Sequence, residues 1–116
     1  MADLHELIRE FAKSAQRHHE ATVEGNYKAA NEAVDKINSI YKSLLENFSF
    51  EGRDALLPLT EDKNDAVALM ALGYLLKYRP DHCMELLKRL SKKPGLIGFS
   101  AAQAIKRWKN GEWDVG

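Results

Sequence analysis

The residues of this chain that could do chemistry are few: four histidines, one cysteine and a scatter of acids. His18 and His19, with His5, Glu20 and Glu24 nearby, invite a metal-site reading. Adjacent residues of a helix point about 100° apart, so neighbouring imidazoles cannot close on one ion. Zinc sites on helices use spacings such as H-E-x-x-H, which the sequence lacks. The pair reads as exposed and solvated, and no metal is expected. His82 and Cys83, with Glu85 close by, raise the possibility of an activated thiol. Nothing supplies an oxyanion hole or an orienting group, and Cys83 falls on an apolar stripe, so a buried and inert cysteine is expected. The acids Glu51 and Asp54 sit at helical spacing, where a helix dipole already accounts for them. No glycine-rich phosphate loop is present; Gly95-Leu96-Ile97-Gly98 reads as a helix-to-helix turn. No catalytic residue and no cofactor site emerges, and the chain is not expected to be an enzyme.

Binding is the better prospect. Lys77, Arg79, Lys88, Arg89, Lys92, Lys93, Lys106, Arg107 and Lys109 crowd the last third, interleaved with Trp108 and Trp113. Lys88, Arg89, Lys92, Lys93, Arg107 and Trp113 are the candidate partner-binding residues. A phosphate backbone could be gripped by such a surface, with the aromatics stacking on bases. The isoelectric point near 6.9 is far from the basic footprint of a nucleic-acid binder, so nucleic acid is the alternative and another protein the leading partner. Trp113 lies past the last helical pattern, either as a lid folded over the terminal hairpin, which is the expectation, or as an exposed anchor.

The chain that positions these residues has 116 residues, the size of one domain, 45% hydrophobic and 29% charged. Net charge is zero, but residues 1–58 hold seven Lys/Arg against ten Asp/Glu and residues 59–116 the reverse excess, ten against seven. That dipolar split could orient a partner. No run approaches the roughly 20 apolar residues of a membrane span. The polar start Met1-Ala2-Asp3-Leu4-His5-Glu6 lacks a signal-peptide pattern. With a lone cysteine, these features lead to the expectation of a cytoplasmic, non-membrane protein.

Helical periodicity runs throughout. Leu4, Leu7, Ile8, Phe11, Ala12 and Ala15 mark a first helix over about Asp3 to Ala21, with Asp3 and Glu6 as a capping box. After a break at Glu24-Gly25-Asn26, the stripe Tyr27, Ala30, Val34, Ile37, Tyr41, Leu44 and Phe48 predicts a long second helix packed antiparallel on the first. Gly52 resets the chain, and Arg53 to Leu59 suggests a short third helix that ends or kinks near Pro58. Thr60, Asp62 or Asn64 can cap the apolar segment Ala66–Lys77, a buried central helix whose Gly73 invites a neighbouring helix close. Pro80 opens a fifth helix with Cys83, Leu86, Leu87 and Leu90 inward. Ser100-Ala101-Ala102-Gln103 reads as a capping box opening a sixth, with Ala101, Ala104, Ile105 and Trp108 inward and Asn110-Gly111 as its C-cap. The expectation is a single all-α domain over residues 1–116. Its six or so helices would form three antiparallel hairpins, a short α-solenoid or right-handed α-α superhelix of HEAT type.

Several stretches also resemble a family. Gly25-Asn26-Tyr27-Lys28-Ala29-Ala30-Asn31, Glu51-Gly52-Arg53-Asp54-Ala55-Leu56, the run Met70 to Arg79, and Gly95 to Trp108 followed by Gly111-Glu112-Trp113 are similar to the bacterial domain of unknown function 2019 family. The matches span roughly residues 25–113. The resemblance implies a HEAT-like helical array in a bacterial cytoplasm and carries no assigned activity, so no functional residue transfers. Relatives often place a Val-Arg pair where this chain has Val67-Ala68, which removes a cation from that turn. Together these readings point to a non-catalytic helical-repeat protein that binds another protein, with an immunity or antitoxin-type accessory role as the specific expectation. Oligomeric state is left open.

Overall fold

The computed structural model describes residues 3–116, and its regular structure is helical: α1 (Leu4–Val23), α2 (Tyr27–Asp54), a 3-10 turn (Leu57–Glu61), α3 (Asp65–Leu75), α4 (Pro80–Leu90) and α5 (Gly95–Lys109). Among the described residues there is no strand. Among the described residues no helix is long and apolar enough to cross a membrane. The chain forms two compact units, Met1–Pro58 and Leu59–Gly116.

The first unit is the hairpin of α1 on α2. Asp3 caps α1 by accepting a hydrogen bond from the Glu6 amide at 2.8 Å, which satisfies one of the orphan donors of the first turn. Gly25 takes φ +75°, left-handed backbone that suits glycine. Asn26 then caps α2 through the Ala29 amide at 3.1 Å. Leu7, Phe11 and Ala15 of α1 are buried with Ala30, Ala33, Ile37, Ile40, Tyr41 and Leu44 of α2. Ala30, Ile37, Tyr41 and Leu44 of the expected stripe are buried, and Val34 and Phe48 are half-buried. Ala33 is buried as well, while Tyr27 is 70% exposed.

Six helices were expected and five α-helices form among the described residues. The difference lies at the end of α2. Ser49 adopts φ 52°, ψ −131°, a kink, and one more helical turn carries the chain to Asp54. Gly52 is buried there so close to Leu44 that a Cβ would fall on its carbonyl oxygen. The residues expected to open a third helix are thus spent on closing α2. Pro58, which has no N–H to donate, then sits in the 3-10 turn, with Leu56 and Thr60 buried on either side. Ser49 is exposed and sits in backbone that L-residues pay about 1–3 kcal/mol to adopt. Ser49→Gly is expected to raise stability by about 1 kcal/mol, read from urea unfolding, after glycine's own entropic cost. A net loss would mean that the serine side chain itself holds the kink.

The second unit packs α3 against α4 and α5, and α4 against α5. Of the three cap candidates, Asn64 is the one used, accepting from the amides of Ala66 and Val67 at 2.9 and 3.3 Å. Asp62 instead accepts from the Asn64 amide at 2.9 Å. Ala66, Val67, Ala68, Ala71, Leu72, Tyr74, Leu75 and Leu76 are buried, so α3 is the core helix its composition predicted. Pro80 is the first residue of α4, with Cys83, Leu87 and Leu90 inward. The start of α5 departs from expectation. Pro94 is its N-cap and Gly95 its first residue, so Ser100 lies inside the helix and no capping box forms. Gly95 to Gly98 is the first turn of α5 rather than a connecting turn. Gly98 is buried against the Lys93 and Ser91 carbonyls, where no side chain fits, and that close approach lets the helix begin six residues early, with its cap at Pro94 rather than Ser100.

Candidate functional site

The cationic set is built mainly on α4. Asp81 stands in its first turn and Lys88 and Arg89 in its last, each at the end of the helix dipole that favours its charge. Burial of Cys83, Leu87 and Leu90 turns Glu85, Lys88, Arg89 and Lys92 outward. Arg89 pairs with Glu85 at 2.8 Å, one turn earlier. Lys93, just past the helix, reaches Asp65 at the start of α3 at 2.7 Å. Lys88 and Lys92, four residues apart and exposed, form no ion pair with any described residue.

Arg89 and Lys93 line a groove of about 350 Å³ with Ala68, Leu86 and Leu90 among its apolar residues. Glu61, Asp62 and Asp65 contribute its acidic side, with Thr60 beside them. Thr60 is held by His82, Oγ1 to Nε2, at 3.0 Å. Sequence reasoning missed this acidic side, because residues 60–65 read as a connecting loop and meet α4 only through tertiary packing.

The six candidate residues do not form one patch. Arg107 lies over the Trp113 ring, 5.7 Å from its centroid, and its guanidinium is 3.8 Å from Asp114. The Trp113 indole donates to the Gly73 carbonyl at 3.1 Å. Lys93 therefore meets the first residue of α3, and Trp113 meets that helix two turns further on, about 12 Å along its axis at 1.5 Å per residue. Trp113 is the folded-back lid, half-buried, and not an exposed anchor. It also accounts for Gly73: a Cβ there would meet Trp113 Cζ2 at 3.5 Å, ordinary contact, so a tryptophan and not a neighbouring helix covers that glycine.

The remaining chemistry candidates stay apart. Cys83 is fully buried, and burial pushes its thiol up to about 11, while His82 faces Thr60. His18 is half-buried and held below its ordinary value, first by desolvation and then by the charge of His19. No three His, Cys, Asp or Glu side chains among the described residues converge as a metal site would require.

No family model matches the chain, and no curated protein does. A solved structure does: the protein RPA1889 from Rhodopseudomonas palustris CGA009 superposes with a TM-score of 0.87 over 100% of this chain and 96% of that one, at 21% sequence identity. At that identity the likeness is one of fold.

Proposed function

We propose that this chain is a non-catalytic interaction module whose cationic α4 ridge docks on an acidic surface of another protein. The observation that carries the reading is the pair Lys88 and Lys92, exposed and without ion-pair partners, at the end of the helix that through Leu86, Arg89 and Leu90 also lines a groove. Apolar contact ringed by charge is the usual anatomy of a protein-binding patch. The fold is read as a short HEAT-like α-solenoid of three hairpins, with the 3-10 turn Leu57–Glu61 standing in for a short helix. The resemblance to the domain of unknown function 2019 family supports that reading, as it does an immunity or antitoxin-type accessory role in a bacterial cytoplasm.

Nucleic acid is the weaker reading. Trp113 has one face under Arg107 and its N–H on a carbonyl, so it is not free to stack on a base. Arg89 and Lys93 are already matched by Glu85 and Asp65. The test is capture of partners from source-organism lysate by the tagged chain and by a Lys88→Glu/Lys92→Glu variant. An acidic protein retained by the first, lost by the second and weakened by salt is the expected result. Salt-labile nucleic acid alone would replace this reading with its rival. Equal retention of the same protein by both forms would remove α4 from the interface.

A further inference from the structure

The first unit holds a second groove, between α1 and α2, of about 430 Å³. Small side chains are part of its lining: Ser14 on α1, and Ala29 and Ala33 on α2. Three cations line it, Lys13, Arg17 and Lys36, with Glu10 and Glu32. These charges are not equivalent. Lys36 is bound to Glu10 at 2.8 Å, and its hydrogen bond and charge hold that carboxyl below the usual range. Lys13 and Arg17, one helical turn apart, form no ion pair with any described residue.

Ser14 is the independent sign that the groove is a site. It is 5% exposed, it lines the groove, and it hydrogen-bonds to no described residue. Its oxygen is not among the polar atoms cut off from solvent without a partner, so the hydroxyl opens into the groove, where it can donate to a ligand. The groove by α4 differs on this point, since both of its cations already have carboxylate partners.

We propose that the α1/α2 groove binds a small phosphate monoester, with Arg17 and Lys13 taking its charge and the Ser14 hydroxyl donating to one of its oxygens. A guanidinium fork matches phosphate geometry, and Lys13, whose charge also acts on Glu10, adds a second cation toward the −1.5 to −2 charge such a group carries near pH 7. The space beyond the phosphate accommodates the ester substituent. Glu32 is the one unpaired acid of the lining and works against an anion.

The test is a 1H–15N NMR titration of the whole chain with phenyl phosphate and with inorganic phosphate, at constant ionic strength. Saturable shifts confined to Ser14, Arg17 and the facing turn of α2 are expected, stronger for phenyl phosphate. Arg17→Gln is expected to weaken binding about tenfold, and Glu32→Gln to tighten it about two- to fivefold. The latter is a change that mere loss of structure would not produce. Shifts that never saturate, or that appear equally around Lys88 and Lys92, would show general ionic attraction and overturn the proposal. So would an unchanged affinity in Arg17→Gln.

Discussion

Gly98→Ala is expected to lower unfolding free energy by about 3 kcal/mol or more, the range of severe overpacking in a buried site. An alanine Cβ would land on the Lys93 carbonyl oxygen, with the Lys93 carbonyl carbon at 2.9 Å and the Ser91 oxygen at 3.3 Å. These are backbone atoms of the turn joining α4 to α5, and they cannot swing aside as the tip of a side chain can. Relief requires the first turn of α5 to lift from that connection. Gly95 supplies the control: it has φ +74° but nothing within 4 Å of its would-be Cβ. Gly95→Ala should therefore cost only left-handed strain, about 1–2 kcal/mol. Urea unfolding of the two variants separates crowding from dihedral strain. Equal losses would show that dihedral strain accounts for both. Because Lys93 also reaches Asp65, the larger disruption should extend to the groove by α4, with amide shifts around Asp65 in Gly98→Ala and none there in Gly95→Ala.

That pair also shows where the sequence is legible. Asp3 and Asn64 cap helices through amides two or three residues away, and Pro80 opens α4 at the position where its missing N–H is harmless. Such features are local, so residue type and spacing suffice to find them. Gly95-Leu96-Ile97-Gly98 fails for the opposite reason. Two glycines three apart look like a turn until the Lys93 carbonyl is seen against one of them. The kink at Ser49 has no glycine or proline to announce it, and the expected third helix is divided between the end of α2 and the 3-10 turn Leu57–Glu61. In the cationic set, the Arg89 partner Glu85 is one turn away and readable. The Lys93 partner Asp65 lies 28 residues off and the Trp113 acceptor Gly73 lies 40 off, so only the fold reveals which charges are spent. The α1/α2 groove is hidden for a related reason: Ser14, Ala29 and Ala33 look like ordinary helix formers, and only the packing of α1 on α2 sets them along one groove.

Cys83 is expected to react with an aromatic disulfide reagent at least about a thousandfold more slowly in the native chain than in denaturant. Reaction is slow in the closed state, and the opened state, in which the thiol regains its ordinary value, is rare. Burial raises the thiol from an ordinary 9.0 to about 11, which leaves about a hundredfold less thiolate at neutral pH, and thiolate is the nucleophile. The side chain is also 0% exposed, so reagent must await an opening that separates α4 from its neighbours. The same shift fixes the sign of an alkaline effect. A thiol whose folded value is raised stays protonated longer in the native state, so its contribution is intact below 9.0 and is lost as pH climbs toward 11. A stability loss on the order of 2–3 kcal/mol across that window is expected, and it should be largely absent in Cys83→Ala, with Tyr74, whose hydroxyl burial also pushes up, supplying what remains. Native labelling within tenfold of the denatured rate would mean that α4 opens readily. In that case the ridge carrying Lys88 and Lys92 is a mobile segment that must be ordered by its partner, and the affinity it delivers is reduced by that ordering cost.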